Sequence, residues 1–318
     1  MPSTASQMHR AAWSQDSLSG LVLIGKYSLF LRAAGPPRTS PAQPAVIIEA
    51  GLGGTSSDWI GKSKAEGKSP LPSAAELLTA TKRCEDLTKL LEVAGVSPPW
   101  VLVGHSYGGV LVREFLAMHG SEKVAGLVIV DSAIVRTKLP DSWPTLLADV
   151  SYMDVVGLQK NRVLSDEEWA DLKKDESSNE LIVELEESCV KESTDKVNKK
   201  VAGKQLLRDG RLSVRFAIES IDFKKVYDWG VEHGNGTPEA REALRKRLED
   251  MAQVDDERQR AHLSLSSQSR FIYAEEDART HNVQLVHPHL IADEVRWVLE
   301  GKRRQWQENE QNEGTNFI

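Results

Sequence analysis

The stretch VLVGHSYGGVLVREFLAMHG, residues 101–120, decides how this chain reads. Val101, Leu102 and Val103 make a short apolar run of the kind that forms a buried strand, and residues 107–119 have helical character. Between them Gly104, His105, Ser106, Tyr107 and Gly108 spell G-x-S-x-G. A serine on so tight a strand-to-helix turn is driven into a strained backbone conformation, and its neighbours must be small for strand and helix to approach. Gly104, Gly108 and Gly109 supply that room. The helix beginning at Tyr107 aims unpaired amides at the serine, where they would stabilise charge developing on a substrate oxygen. The glycines thus hold Ser106 out as a nucleophile at the carboxyl edge of a sheet. A structural turn that merely contains a serine is the competing interpretation.

Outward from this turn, strands and helices alternate. On its N-terminal side, residues 45–48 are an apolar run that stops in the glycine loop EAGLGG, residues 49–54. Residues 73–93 have helical spacing through Leu77, Leu78, Leu87, Leu90 and Leu91, with Gly95 and Pro98 beyond the end. Two earlier runs, 21–24 and 27–31, are separated by Gly25 and Lys26 and read as a hairpin, followed by a proline-rich connection over 36–44. On the C-terminal side, 124–130 is a further strand, and strand character returns at 212–217 and 270–274. Charged and amphipathic helices are expected over 238–263 and 290–304, the latter with Ile291, Val295, Val298 and Leu299 on one face. This alternation predicts an α/β fold with a mostly parallel sheet covered on both faces. Residues 137–207 break the pattern, being helical in spacing, rich in Asp, Glu and Lys, and without a strand. The expected organisation is a core in two parts, 1–136 and 208–304, a helical cap insertion at 137–207, and a disordered tail over 305–318.

VLVGHSYGG, GLVIVDSA, SRFIYAE and HNVQLVHPHLIADEVRWVL resemble the α/β-hydrolase superfamily, and in particular its small serine hydrolases with a helical cap. The resemblance runs from Val46 to Val298 and implies the α/β-hydrolase fold and a Ser, acid, His triad in that chain order. Ser106 needs an imidazole to take its proton during attack. The resemblance puts His281 in that role, because HNVQL follows SRFIYAE and precedes the closing helix as the family's histidine segment does. Thr280 stands where the family usually has glycine, after a longer EEDAR loop. The acid is open among three residues. Asp131, at the end of GLVIVD, is preferred, since a carboxylate there could fix the tautomer of His281. Asp222 and Glu219 compete from beyond the next strand.

The oxyanion hole needs a second amide besides that of Tyr107. EAGLGG resembles the family's loop for that purpose, with Ala50 in place of the usual histidine, and the backbone of Leu52 is the expected donor. A dinucleotide-binding loop fails on spacing: Gly51 and Gly53 fit G-x-G-x-x-G, but Ser56 occupies the third position, so NAD is not expected. The family normally follows its oxyanion loop with a helix and another buried strand. From Trp59 to Ser73 no apolar run could make one, so one central strand is expected to be missing.

The 318 residues carry a net charge of −7, which argues against nucleic acid as a partner. Cys84 and Cys189 stand alone, so neither a disulfide framework nor a thiolate metal site is expected. HPH, residues 287–289, lacks the further ligands a metal would need. No signal-like or membrane-spanning apolar stretch is present, and a cytoplasmic protein acting on a small molecule, without cofactor or metal, is the expectation. The function expected is ester-like cleavage by a serine hydrolase, with secondary metabolism suggested only by analogy. A non-catalytic relative that uses the fold for binding is the alternative.

Overall fold

The chain begins with an antiparallel hairpin, β1 (Ser17–Leu23) and β2 (Ser28–Ala34). In the computed structural model, which describes residues 17–59, 78–177 and 180–314, this hairpin is a two-stranded sheet of its own. There follow β3 (Ala45–Glu49), α1 (Ala80–Ala94), β4 (Trp100–His105), α2 (Gly108–Lys123) and β5 (Val124–Val130). Helices α3 (Tyr152–Val155), α4 (Leu158–Asn161), α5 (Asp166–Ser177) and α6 (Glu180–Val201) come next. The chain then continues through β6 (Arg208–Phe216), α7 (Ser220–Glu232), α8 (Pro238–Arg260), β7 (Ser266–Tyr273), α9 (Val283–Val286) and α10 (Pro288–Gly314).

Strands β3 to β7 form one parallel sheet in the order β3-β4-β5-β6-β7. Every residue of β4 and β5 is buried, as inner strands covered on both faces must be. Successive side chains point to opposite faces. Trp100, Leu102, Leu127 and Ile129 pack with Leu91, Leu111 and Phe115 from α1 and α2. Val101, Val103, Val128 and Val130 pack on the other face with Ile291 and Val298 from α10. The polypeptide thus leaves β4 between two fully packed layers, and its carboxyl end is where the glycine turn emerges.

The sequence leads one to expect one central strand to be missing. The five strands are contiguous, and no gap interrupts their ladders. Among the described residues, β3 is instead the edge of the sheet and is not joined to the β1–β2 hairpin. Its Ala45 and Ile47 face the core, whereas Val46 and Ile48 are 38% and 43% exposed. Among the described residues the unpaired backbone groups therefore fall on an outer strand, where water can satisfy them. Residues 60–77, which include most of the segment read as unable to form a strand, lie outside the described residues.

Residues 137–207 contain no strand among the described residues, but their helices divide between two cores. Val197 and Val201 of α6 pack with α1 and α2. Val156, Leu158, Trp169 and Leu172 pack with Phe223 and Val226 of α7 and Leu244 and Met251 of α8. Helix α7 has no counterpart in the sequence reading, because SIDFKKVYDWGVE shows its apolar stripe only against the insertion. At the C-terminus, α10 runs to Gly314 and so extends into the stretch 305–318 that the sequence leads one to expect as a tail. Gln, Glu and Arg, abundant in this stretch, are good helix formers.

Candidate active site

Ser106 sits directly after β4 with φ at +52°, in the left-handed region that non-glycine residues rarely occupy. The turn holds because its neighbours lack side chains. A Cβ on Gly104 would lie 2.5 Å from the carbonyl oxygen of Gly108, and one on Gly108 would lie 2.7 Å from that of Ala50. The Ser106 amide donates to Val130 O at 3.0 Å, which ties the turn to the end of β5. Loop 51–54 passes over the serine so closely that a Cβ on Gly51 would be 3.5 Å from Ser106 Oγ. The amides of Leu52 and Tyr107 donate no hydrogen bond among the described residues. Both are therefore open to an incoming oxygen. Ser106 Oγ likewise makes no hydrogen bond among the described residues.

Asp131 follows β5 directly, also in the left-handed region with φ at +43°. Its buried carboxylate is fully engaged. Oδ2 accepts from Nδ1 of His281 at 2.8 Å, and Oδ1 accepts from the Ala217 amide and from Gln259 Nε2, each at 2.9 Å. With its proton on Nδ1, the His281 ring leaves Nε2 free. Three strand ends thus converge, since Ala217 lies just past β6, and β4, β5 and β6 are neighbours in the sheet.

The competing acids have other positions. Asp222, in the first turn of α7, accepts through Oδ2 from the His281 amide and from Thr280 Oγ1, both at 2.8 Å, while Lys225 Nζ reaches its Oδ1 at 3.2 Å. It braces the backbone of the histidine loop and leaves the ring alone. Thr280, where the resemblance leads one to expect glycine, is the residue whose hydroxyl makes that brace. The Glu219 side chain makes no hydrogen bond or ion pair among the described residues, although its charge acts on His281. It follows Ile218, a β-branched residue at φ +64°, a strained conformation at the end of β6. Sequence reasoning did not single out Gln259, Thr280 as a donor, or Lys225. Gln259 is 128 positions from Asp131 along the chain, and no local pattern announces such a contact.

His105, beside the nucleophile, donates from Nε2 to the carbonyl of His281 at 2.7 Å, and the two rings lie 4.7 Å apart. Burial, followed by the charge of His281, pushes its pKa down to about 3, so it stays neutral. Burial would also lower His281, but Glu219, the hydrogen bond to Asp131 and the charges of Asp131 and Asp222 carry it up to about 9. Burial alone would raise Asp131. The hydrogen bond and charge of His281 outweigh it, with help from Gln259 and Ala217, and hold the carboxyl below its ordinary value.

Elsewhere, His287 pairs with Asp277 at 2.9 Å, and its ring meets that of His289 edge-on. Among the described residues no group of three or more His, Cys, Asp or Glu is arranged to hold a metal. Cys84 and Cys189 are both buried, and neither is in a disulfide among the described residues.

A family model described as alpha/beta hydrolase fold matches residues 61–162, which include the serine turn and Asp131. The chain has the α/β-hydrolase fold. Among similar proteins, an "AB hydrolase superfamily protein" of Gibberella zeae is 28% identical over 302 residues, covering 85% of this chain and 91% of that one. A second relative, "Probable transporter efuK" of Hormonema carpetanum, is 28% identical over 317 residues, covering 92% of this chain. The chain spans only 44% of that relative's length. Among the described residues no helix is long and apolar enough to cross a membrane. In three dimensions the chain is similar to 2-hydroxy-6-oxo-6-phenylhexa-2,4-dienoate hydrolase from a Rhodococcus species, with a TM-score of 0.52 at 14% identity, covering 89% of this chain and 99% of the other. At that identity the likeness concerns the fold alone.

Proposed function

We propose that this α/β-hydrolase is a serine hydrolase that cleaves an ester-like bond of a small organic substrate. The observation that carries the proposal is the 2.8 Å hydrogen bond between His281 Nδ1 and Asp131 Oδ2, formed beside the strained turn that presents Ser106. In the first half-reaction Ser106 Oγ attacks the carbonyl carbon and its proton passes to His281 Nε2. Asp131 steadies the resulting imidazolium, and the amides of Leu52 and Tyr107 hold the oxyanion. His281 then protonates the departing alcohol. Water, deprotonated by the same ring, releases the acyl group and restores Ser106. Helices α3 to α6 are proposed as the cap over this site, where substrate choice would be made.

The electrostatics give a pH dependence. His281 acts as a base only when neutral, and its pKa is raised to about 9. The value of kcat/KM is therefore expected to rise with pH through neutrality and level off near that value. Glu219→Gln removes a charge that favours the imidazolium, so its profile should move to lower pH. An unmoved profile would separate Glu219 from the base.

The direct test is labelling of purified protein with a fluorophosphonate, which reacts with activated serines. Wild-type protein should label stoichiometrically and Ser106→Ala protein should not. The unbonded Ser106 hydroxyl favours one other reading, a non-catalytic binding protein on the same fold. Folded wild-type protein that stays unlabelled would establish that reading instead.

A further inference from the structure

We infer that Glu186, on α6, is a positioning residue for the oxyanion loop, so that the insertion helix sets the geometry in which Ser106 works. The inference rests on the serine-hydrolase reading for its kinetic arm only. Loop 51–54 is a tight turn, closed by a 3.0 Å hydrogen bond from the Gly54 amide to Gly51 O. Its open amide, Leu52, is the proposed oxyanion donor. Its middle peptide joins Leu52 to Gly53. That peptide is held from outside, because the Gly53 amide donates to Glu186 Oε2 at 2.9 Å.

The carboxylate is in turn fixed. Glu186 is 2% exposed, and its other oxygen accepts from Arg83 Nη1 on α1. Arg83 Nη2 reaches Glu49 Oε2 at 3.4 Å, at the end of the strand that feeds the loop. Burial raises the pKa of Glu49 and the Arg83 charge opposes that rise. The chain of contacts therefore runs Glu49, Arg83, Glu186, Gly53, and it closes on the loop from both ends. Packing agrees with it. Gly53 has φ at +66°, and a Cβ there would collide with Val183, one turn before Glu186 on the same helix.

Helix α6 is fit to act as a fixed reference. Ser193 Oγ accepts from the Ala80 amide at 3.0 Å, Asn198 Oδ1 accepts from the buried Arg113 at 2.7 Å, and Lys200 pairs with Glu114. These contacts bolt its C-terminal half to α1 and α2, and its N-terminal half reaches over the loop. A catalytic amide gains its effect by being aimed before the charge develops, which a freely rotating turn cannot do.

The experiment compares wild-type, Glu186→Ala, Arg83→Met and a control on the same helix, Lys191→Ala. Hydrogen exchange of the Gly53 and Leu52 amides is measured on all four. Exchange at Gly53, whose amide Glu186 holds, should accelerate at least about tenfold in Glu186→Ala and less in Arg83→Met, with the unbonded Leu52 amide and the rest of the sheet unchanged. On an ester substrate, Glu186→Ala should lower kcat about 10- to 100-fold with KM within about twofold, the pattern of a contact that matters only in the transition state. Its affinity for a trifluoromethyl ketone, which mimics the oxyanion, should fall by the same factor. Unchanged exchange at Gly53 would overturn the inference whether or not the protein turns over esters. So would accelerated exchange with kcat intact, or a loss of kcat matched by a rise in KM and by global destabilisation.

Discussion

Ser106→Ala is expected to lower kcat/KM on an activated ester by about 10⁶-fold, because it removes the atom that forms the acyl bond while leaving the rest of the turn in place. The substitution is structurally mild. Ser106 Oγ makes no hydrogen bond among the described residues, so no partner is stranded, and alanine exchanges one strained left-handed residue for another. Thermal stability should therefore stay within a few degrees of wild type. The residual rate would report what the amides of Leu52 and Tyr107 achieve by directing water. Steady-state kinetics with active-site titration by the fluorophosphonate measures both. An alanine variant that kept even a hundredth of the wild-type rate would rule out Ser106 as the nucleophile.

The second large effect separates the two buried aspartates. Asp131→Asn should lower kcat/KM by about 10⁴-fold, since an asparagine amide facing His281 Nδ1 reverses the donor and acceptor roles and favours the wrong tautomer. Asp222→Asn should cost no more than about tenfold. Its remaining oxygen can still accept from the His281 amide, and the imidazole itself makes no hydrogen bond to it. Measured side by side on one ester, with proton NMR of the His281 ring as a check on tautomer, the pair gives opposite answers for the two assignments. If Asp222→Asn suffers the larger loss, the acid of the site is on α7.

Much of this was legible in the sequence because it is local. Gly104 and Gly108 declare the tight turn, since only glycine fits where two backbones come this close, and Gly109 makes room for the side chain of Ser132. The runs at 100–103 and 124–130 declare inner strands, being apolar on both faces. His281 and Asp131 could be nominated from their places after strands, and the structure brings their side chains together. What was hidden depends on residues distant in sequence. Helix α7 shows its purpose only against Leu146 and its neighbours, Asp222 shows its role only against the backbone at His281, and Glu186 is one charge among many on a solvated-looking helix. That β3 ends the sheet was hidden for the same reason. A sequence gives the order of strands along the chain, and their order across the sheet depends on which pairs meet in space.

The separateness of the β1–β2 hairpin has an energetic consequence. Among the described residues no ladder joins it to β3, and its apolar side rests on Leu90 and Ala94 of α1 through Val22, Ile24, Leu29 and Leu31. Among the described residues side-chain contacts couple it to the body of the protein, and local opening of the hairpin is expected to cost less than global unfolding. Fluctuations at the N-terminus need not reach the serine turn, which lies on the far side of a strand that the hairpin does not grip.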